Sequence, residues 1–217
     1  MEISNCLRLA YSSMNAFDLR SLCIMPKHQC WKLYVDILVS KNVFNISRSL
    51  LTFFDFQILQ CAGNLYDAIS LAVKSALYNT RIPRVSSALL DGGNVDLVLS
   101  DDPHDCDRLN VETVPILVTV CKIGECCIVD PSIEEEICST ASVVVGVSGT
   151  TDGKLGKITT MQTIGGGSLH SDTLDDCIEI ALVTAKNLND KLLNALRLEE
   201  KHQMESNSSS AYTQFLK

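Results

Sequence analysis

The stretch Gly63–Val85, G-N-L-Y-D-A-I-S-L-A-V-K-S-A-L-Y-N-T-R-I-P-R-V, constrains the fold more than any other part of the chain. Leu65, Ala68, Ile69, Ala72, Val73, Ala76 and Leu77 recur at helical spacing and define one apolar face. Asn64 is placed to cap this helix, Asp67 follows three residues on, and Pro83 ends the run ahead of a strand. A helix with such a face must lie on another layer, and the segments around it supply that layer.

Leu22–Met25 and Trp31–Leu38 read as strands about Pro26-Lys27-His28, after a short helical end at Cys6–Ser13. Arg84–Leu90 and Val95–Leu99 flank Asp91-Gly92-Gly93-Asn94, a hairpin signal. Val114–Cys121 and Cys126–Val129 flank Lys122-Ile123-Gly124-Glu125, a second one. Cys138–Ser148 and Leu155–Thr163 make a third around a polar turn, although Glu134–Ala141 could also start as a helix. A long helix then begins at Ser168 or Ser171. Its stripe is Leu174, Ile178, Ala181, Leu182, Ala185, Leu188, Leu192 and Leu196, with acids early and bases late, as the helix dipole prefers. Past His202 the chain becomes Ser-rich and polar, the composition of a loose tail. Strands, helix, hairpins, helix make an α+β domain with a mixed sheet.

The chain has 217 residues, enough to bury a core, and a net charge of −8 from 26 acids against 18 bases. That surface is a poor autonomous binder of nucleic acid, which requires clustered Lys and Arg. Ten cysteines occur without a C-x-x-C pair, and the four histidines, at 28, 104, 170 and 202, are scattered. Zinc is not expected, and buried, reduced cysteines in a cytosolic or nuclear protein are. Met1–Ala10 lacks the pattern of a signal peptide, and the most apolar window, Leu33–Ala62, is interrupted by charges, so no membrane association is expected.

The literal strings go further than periodicity. G-N-L-x-D-A at 63–68, T-R-I-P-R-V at 80–85, D-D-P-H-D-C-D-R-L at 101–109, V-P-I-L-V-T-V-C-K-I-G at 114–124 and V-D-P-S-I-E-E-E-I-C-S-T-A-S at 129–142 follow in order. Together they resemble the 42-like subunits of the RNA exosome ring, in the ribonuclease PH superfamily, over residues 17–38 and 58–195. The resemblance implies a ribonuclease PH-like (ribosomal protein S5 domain 2-like) α+β fold with its N-terminal part missing. Residues 1–62 are then a remnant of the N-terminal subdomain, 63–203 the C-terminal region and 204–217 a disordered tail.

Within the remnant, Val39–Gln57 departs from the family. Removing these 19 residues, or 57 nucleotides, joins the flanks as Y-V-D-I-L-I-L-Q-C-A-G-N-L and restores the strand-to-helix connection. Val39-Ser40 can be encoded by a 5′ splice consensus, and Phe53–Gln57 by a T-rich run ending in a 3′ one. A surface loop is the other reading, but one is seldom this rich in Phe, Leu and Ile. A retained intron or gene-model error is the better account.

Active members of the superfamily cleave RNA by phosphorolysis, which requires a phosphate cradle and an acid at the leaving oxygen. The resemblance places a D-x-x-x-E-E-D type turn at Asp130–Glu136. Here its last acid is Glu and Pro131 alters it, so the turn is a residual site or, more simply, a solvated helix start. Gly165–Gly167 is a phosphate cradle or a plain loop. Asp101, Asp102, Asp105 and Asp107 are a metal cluster or, with Pro103 and Arg108, a structured turn. Lys74, Arg81 and Arg84 are candidates for an RNA-facing patch, the alternative being an ion-paired edge.

By resemblance the chain is a non-catalytic ring subunit, without metal or cofactor. It pairs with a ribonuclease PH-like partner, and three such pairs close a ring through which RNA reaches a separate nuclease. The work implied is 3′-end processing and 3′-to-5′ degradation of rRNA, snRNA and mRNA in nucleus, nucleolus and cytoplasm. A phosphorolytic 3′–5′ exoribonuclease is the second reading, and a nonfunctional isoform the third. Sequencing transcripts across codons 35–62 is expected to return molecules without the 57 nucleotides, whereas transcripts that all carry them assign the segment to the protein.

Overall fold

Two strands with apolar residues on both faces organise the molecule, because each face must be covered. They are the centre of a four-stranded antiparallel sheet in a computed structural model that describes residues 2–12, 19–25, 29–39, 44–49, 54–58, 62–89, 95–100, 102, 105–149 and 156–214. In chain order the elements are α1 (Glu2–Ser12), a 3₁₀ turn (Leu19–Leu22), β1 (Cys23–Met25), β2 (Gln29–Cys30), β3 (Tyr34–Val39), β4 (Phe44–Ser49), β5 (Phe54–Ile58) and α2 (Leu65–Asn79). Then follow β6 (Arg81–Pro83), β7 (Val85–Leu89), β8 (Val95–Leu99), β9 (Cys106–Arg108), β10 (Pro115–Ile123), β11 (Cys126–Val129), α3 (Ile133–Cys138), β12 (Ala141–Ser148), β13 (Lys157–Ile164) and α4 (Ser171–Gln214).

The central sheet runs β11-β10-β12-β13. On one face Ile116, Val118 and Val120 of β10 and Val143, Val145 and Val147 of β12 pack against Cys177, Ala181 and Ala185 of α4. On the other, Leu117 and Val144 join Ile69, Val73 and Leu77 of α2 and Cys6, Leu7 and Ala10 of α1. The expected hairpins form as β7–β8, β10–β11 and β12–β13, all antiparallel. The parallel pair that makes the fold mixed lies elsewhere, between β3 and β5. The first hairpin's turn, 90–94, and Pro26-Lys27-His28 lie outside the described residues.

Helix α2 does more than present an apolar face. Strand β11 reaches only Val120–Ile123 of β10, so among the described residues the start of β10 has β12 on one side and no strand on the other. Polar residues of α2 occupy that side. Thr119 Oγ1 donates to Asp67 Oδ1 at 2.7 Å, the Leu117 N–H donates to Ser70 Oγ at 3.0 Å, and Lys74 Nζ donates to the Val114 carbonyl at 2.6 Å. Lys74 also reaches α4, donating to Asn189 Oδ1 at 2.7 Å. Asp67, Ser70 and Lys74 lie three and four residues apart, which puts them on one helix face. All three are buried, while Ala68, Ala72 and Ala76, which the apolar periodicity places inward, are only half-buried. The helix is rotated toward its polar stripe because a buried strand edge needs hydrogen-bond partners more than it needs alanine.

Other differences have equally local causes. A short helix, α3, precedes β12, and Ser132 and Glu135 close a capping box at its start, so the hairpin begins only at Ala141. Helix α4 continues to Gln214, beyond the His202 boundary that composition marks. Strands β4, within the anomalous segment, and β5, which runs from it to Ile58, flank β3, and Ile58 lies opposite Val39. Cys6, Cys121 and Cys177 are buried as expected, but Cys23, Cys30, Cys126 and Cys138 are exposed, because β1, β2, β11 and α3 carry no covering layer over those positions.

Lys74 is fully buried, and desolvation pulls its ammonium down to about 8, against the opposing charge of Glu112. Lys74→Ala should lower the unfolding free energy by ~3 kcal/mol, through the cavity and the orphaned acceptors. Ser70→Ala should lower it by ~1–2 kcal/mol through the unpaired Leu117 N–H. Urea denaturation of the folded chain measures both.

Candidate functional site

The end of α2 nearest the Asp130–Glu136 turn is where the acids of the chain converge. Gly63 has φ +111°, and a Cβ there would stand 2.7 Å from the Pro131 carbonyl oxygen and 2.9 Å from the Ile133 nitrogen. Only glycine permits so close an approach at that backbone angle. Asn64 follows in the left-handed region, φ 47° and ψ 51°, and makes no side-chain cap to α2. Its expected role is replaced by a bridge: its N–H donates to Glu136 Oε1 at 2.8 Å, and its Nδ2 donates to Asp130 Oδ1 at 2.7 Å. Asp130 is itself left-handed, at φ 55°. The Asn64 Oδ1 is buried without a hydrogen-bond partner among the described residues.

Asp67 lies beneath this bridge, 7% exposed, in the first turn of α2. Burial pushes its carboxyl up to about 6, hydrogen bonds from Thr119 and Asn64 oppose the rise, and the charge of Asp130 adds to it. No guanidinium or ammonium is among these influences. Asp130, Asn64 and Glu136 likewise make their hydrogen bonds with one another, and Glu135 accepts from the Ser132 N–H at 2.8 Å. The turn is therefore more than a solvated helix start, since its carboxylates hold α3 to α2. An acidic site so arranged repels phosphate, which requires positive charge or several convergent N–H groups.

The remaining candidates separate. Lys74 is in the core, far from any exposed patch, because its ammonium is used by Val114 and Asn189. Arg84 is exposed but paired: Nη2 donates to Asp107 Oδ1 at 2.7 Å, and Nη1 lies 3.3 Å from Asp105 Oδ1. This is the structured turn that the Asp-rich segment offered as one reading, and Asp101 lies outside the described residues. Arg81 is exposed on β6, where its charge acts on Glu200, the partner of Arg108 and Tyr78. Among the described residues no three His, Cys, Asp or Glu gather to hold a metal ion. Gly167 packs its α-carbon against the Thr140 carbonyl, whereas Gly165 and Gly166 face open space. The loop is a packing contact leading to α4. What periodicity missed is the polar stripe Asp67-Ser70-Lys74, whose signal was its own helical spacing.

Comparison with known proteins bears on the same region. Residues 113–184 match the model of the 3′ exoribonuclease family, domain 2. A protein of Dictyostelium discoideum named as an exosome complex exonuclease RRP42 is 34% identical over 182 residues, which is 84% of this chain and 48% of that protein. The chain belongs to the Rrp42-like branch of the ribonuclease PH superfamily. The exosome component Rrp42 of Sulfurisphaera tokodaii is 30% identical over 91% of this chain and 59% of its own length. The Rrp42-like chain thus spans about half of the curated relatives it matches. Among solved structures, the archaeal exosome core matches 88% of this chain and 62% of its own, with TM-score 0.57 and 23% identity. The Archaeoglobus fulgidus exosome with RNA bound to the active site gives TM-score 0.55 over the same share of the chain, again at 23% identity. Both show the ribonuclease PH fold for this Rrp42-like chain.

The raised Asp67 carboxyl has a consequence for stability. Its folded pKa of about 6 lies above its ordinary 3.8, so folding favours the protonated form. The stability it contributes is complete below about pH 4 and is lost as pH rises through about 6. Asp67→Asn, which keeps an acceptor for Thr119, should therefore stabilise the chain by on the order of 2 kcal/mol at pH 7.5. That gain should vanish at pH 4, and denaturation curves at the two pH values test it.

Proposed function

We propose that this chain is a non-catalytic structural subunit of the RNA exosome core ring. It supports 3′-end processing and 3′-to-5′ degradation of rRNA, snRNA and mRNA, in nucleus, nucleolus and cytoplasm. The observation that carries the proposal is the use of the Asp130–Glu136 acids. Asp130 and Glu136 accept hydrogen bonds from Asn64, and Glu135 caps its own helix, so the turn is committed to joining two elements. A phosphorolytic centre needs those acids beside a cationic phosphate site, and the cluster around Asp67 holds acids, an amide and a hydroxyl. The relatives' names support membership of the exosome complex, though the Dictyostelium protein is named an exonuclease, and a net charge of −8 suits a subunit whose partners supply the basic channel. Within the ring, Arg81 is the candidate RNA contact best placed at the surface, with Arg84 limited by its pairing to Asp105 and Asp107.

One observation favours the second reading, phosphorolytic exoribonuclease: an acid held near pKa 6 is suited to protonate a leaving oxygen. A paired experiment decides between them. Affinity purification of the tagged chain from its native cells should recover the other ring subunits in near-equal amounts. The purified chain should release no nucleoside diphosphates from the 3′ end of RNA in phosphate buffer. Recovery of chaperones alone would remove the ring assignment, and phosphate-dependent release abolished by Asp67→Asn would establish the enzyme.

A further inference from the structure

The sheet's edge strand β11 and the helix α4 each bring one thiol to their shared contact. Cys127 Sγ and Cys177 Sγ lie 3.6 Å apart, joining positions 50 residues distant in sequence. We propose that Cys127 and Cys177 are a dithiol that peroxide oxidises to a disulfide, pinning β11 to α4. The two members differ as such a pair requires. Cys127 is half-buried at the margin of the core cluster, whereas Cys177 is fully buried within the α4 core contacts. Cys126 is exposed on the alternate face of the strand and does not compete for Cys177. Cys121, also buried, has its sulfur against Ser142 Oγ at 3.0 Å. The contact is held in place by Lys122, which pairs opposite Cys127 and whose Nζ donates to Thr173 Oγ1 of α4 at 3.2 Å.

The chemistry balances with hydrogen peroxide as the oxidant. The Cys127 thiolate attacks one peroxide oxygen, the O–O bond breaks, and the departing hydroxide takes a proton to become water, leaving a sulfenic acid. Cys177 Sγ then attacks Cys127 Sγ, the S–S bond forms, the S–O bond breaks, and the second hydroxide leaves as water with the Cys177 proton. Two thiols and one peroxide give one disulfide and two waters. Burial first, and then the hydrogen bond and charge of Cys127, push the Cys177 thiol up to about 12 in the reduced pair, against Lys122.

The test is oxidation of the folded, full chain with hydrogen peroxide, followed by digestion without reductant and mass spectrometry. The expected product is a Cys127–Cys177 linked peptide, retained in Cys126→Ser and lost in Cys127→Ser. Two of the ten thiols should disappear. The apparent melting temperature of the oxidised chain should rise by several degrees and return on reduction, as closing a long loop predicts. In Cys177→Ser, peroxide should instead leave a sulfenic acid at Cys127 that dimedone labels, a signal low in the parent chain. Absence of the linked peptide in the parent chain, or thiol loss confined to Cys23, Cys30, Cys126 and Cys138, would overturn the proposal. So would a linked peptide that survives in Cys127→Ser.

Discussion

A strand edge that no described strand pairs is the constraint on which the rest of this domain depends. The first half of β10 has unpaired backbone groups deep in the molecule, and leaving them unsatisfied would be costly. Helix α2 meets that demand with side chains: Ser70 accepts from the Leu117 N–H, and Lys74 donates to the Val114 carbonyl. This seam fixes how far α2 is rotated, and so which of its residues are inside. Because Lys74 also reaches Asn189, the same seam ties the helix on one face of the sheet to the helix on the other. The valine-rich strands supply the bulk of the burial, but they are indifferent to the exact rotation of the helix above them. The hydrogen bonds are directional and set it.

The placement of the candidate site follows from that rotation. With Lys74 and Ser70 facing β10, Asp67 comes under Thr119 and the start of α2 faces the Asp130–Glu136 turn. Gly63 allows the two backbones to meet, and Asn64 links them through both its N–H and its amide. Asp130 and Glu136 thereby accept hydrogen bonds at the helix terminus. A ribonuclease PH fold hosts more than one function, which is why function here is argued from the site rather than from the fold.

Much of the secondary structure was legible, because periodicity and turn residues act locally. The helices at Leu65–Asn79 and from Ser171, and the hairpins β7–β8, β10–β11 and β12–β13, lie where their patterns place them. The misreadings share one cause. Asn64 resembles an N-cap and Lys74 resembles a surface cation, when each is judged by residue type alone. Their partners are 40 to 115 residues away in the chain: Val114 and Asn189 for Lys74, Asp130 and Glu136 for Asn64. Arg84 is the intermediate case, since its partners Asp105 and Asp107 belong to a motif that the sequence marks as a turn.

The sequence by itself determined the family, through ordered strings from G-N-L-Y-D-A to V-D-P-S-I-E-E-E, and with it the class of fold. It also determined which segments are helix and which are strand, since those preferences arise from neighbours along the chain. Only the tertiary structure decided which polar residues are buried, which acids are already engaged, and that Cys127 meets Cys177. Those are properties of contacts between distant segments, and a residue's charge or polarity is the same on paper whether its partner is water or a carbonyl in the core.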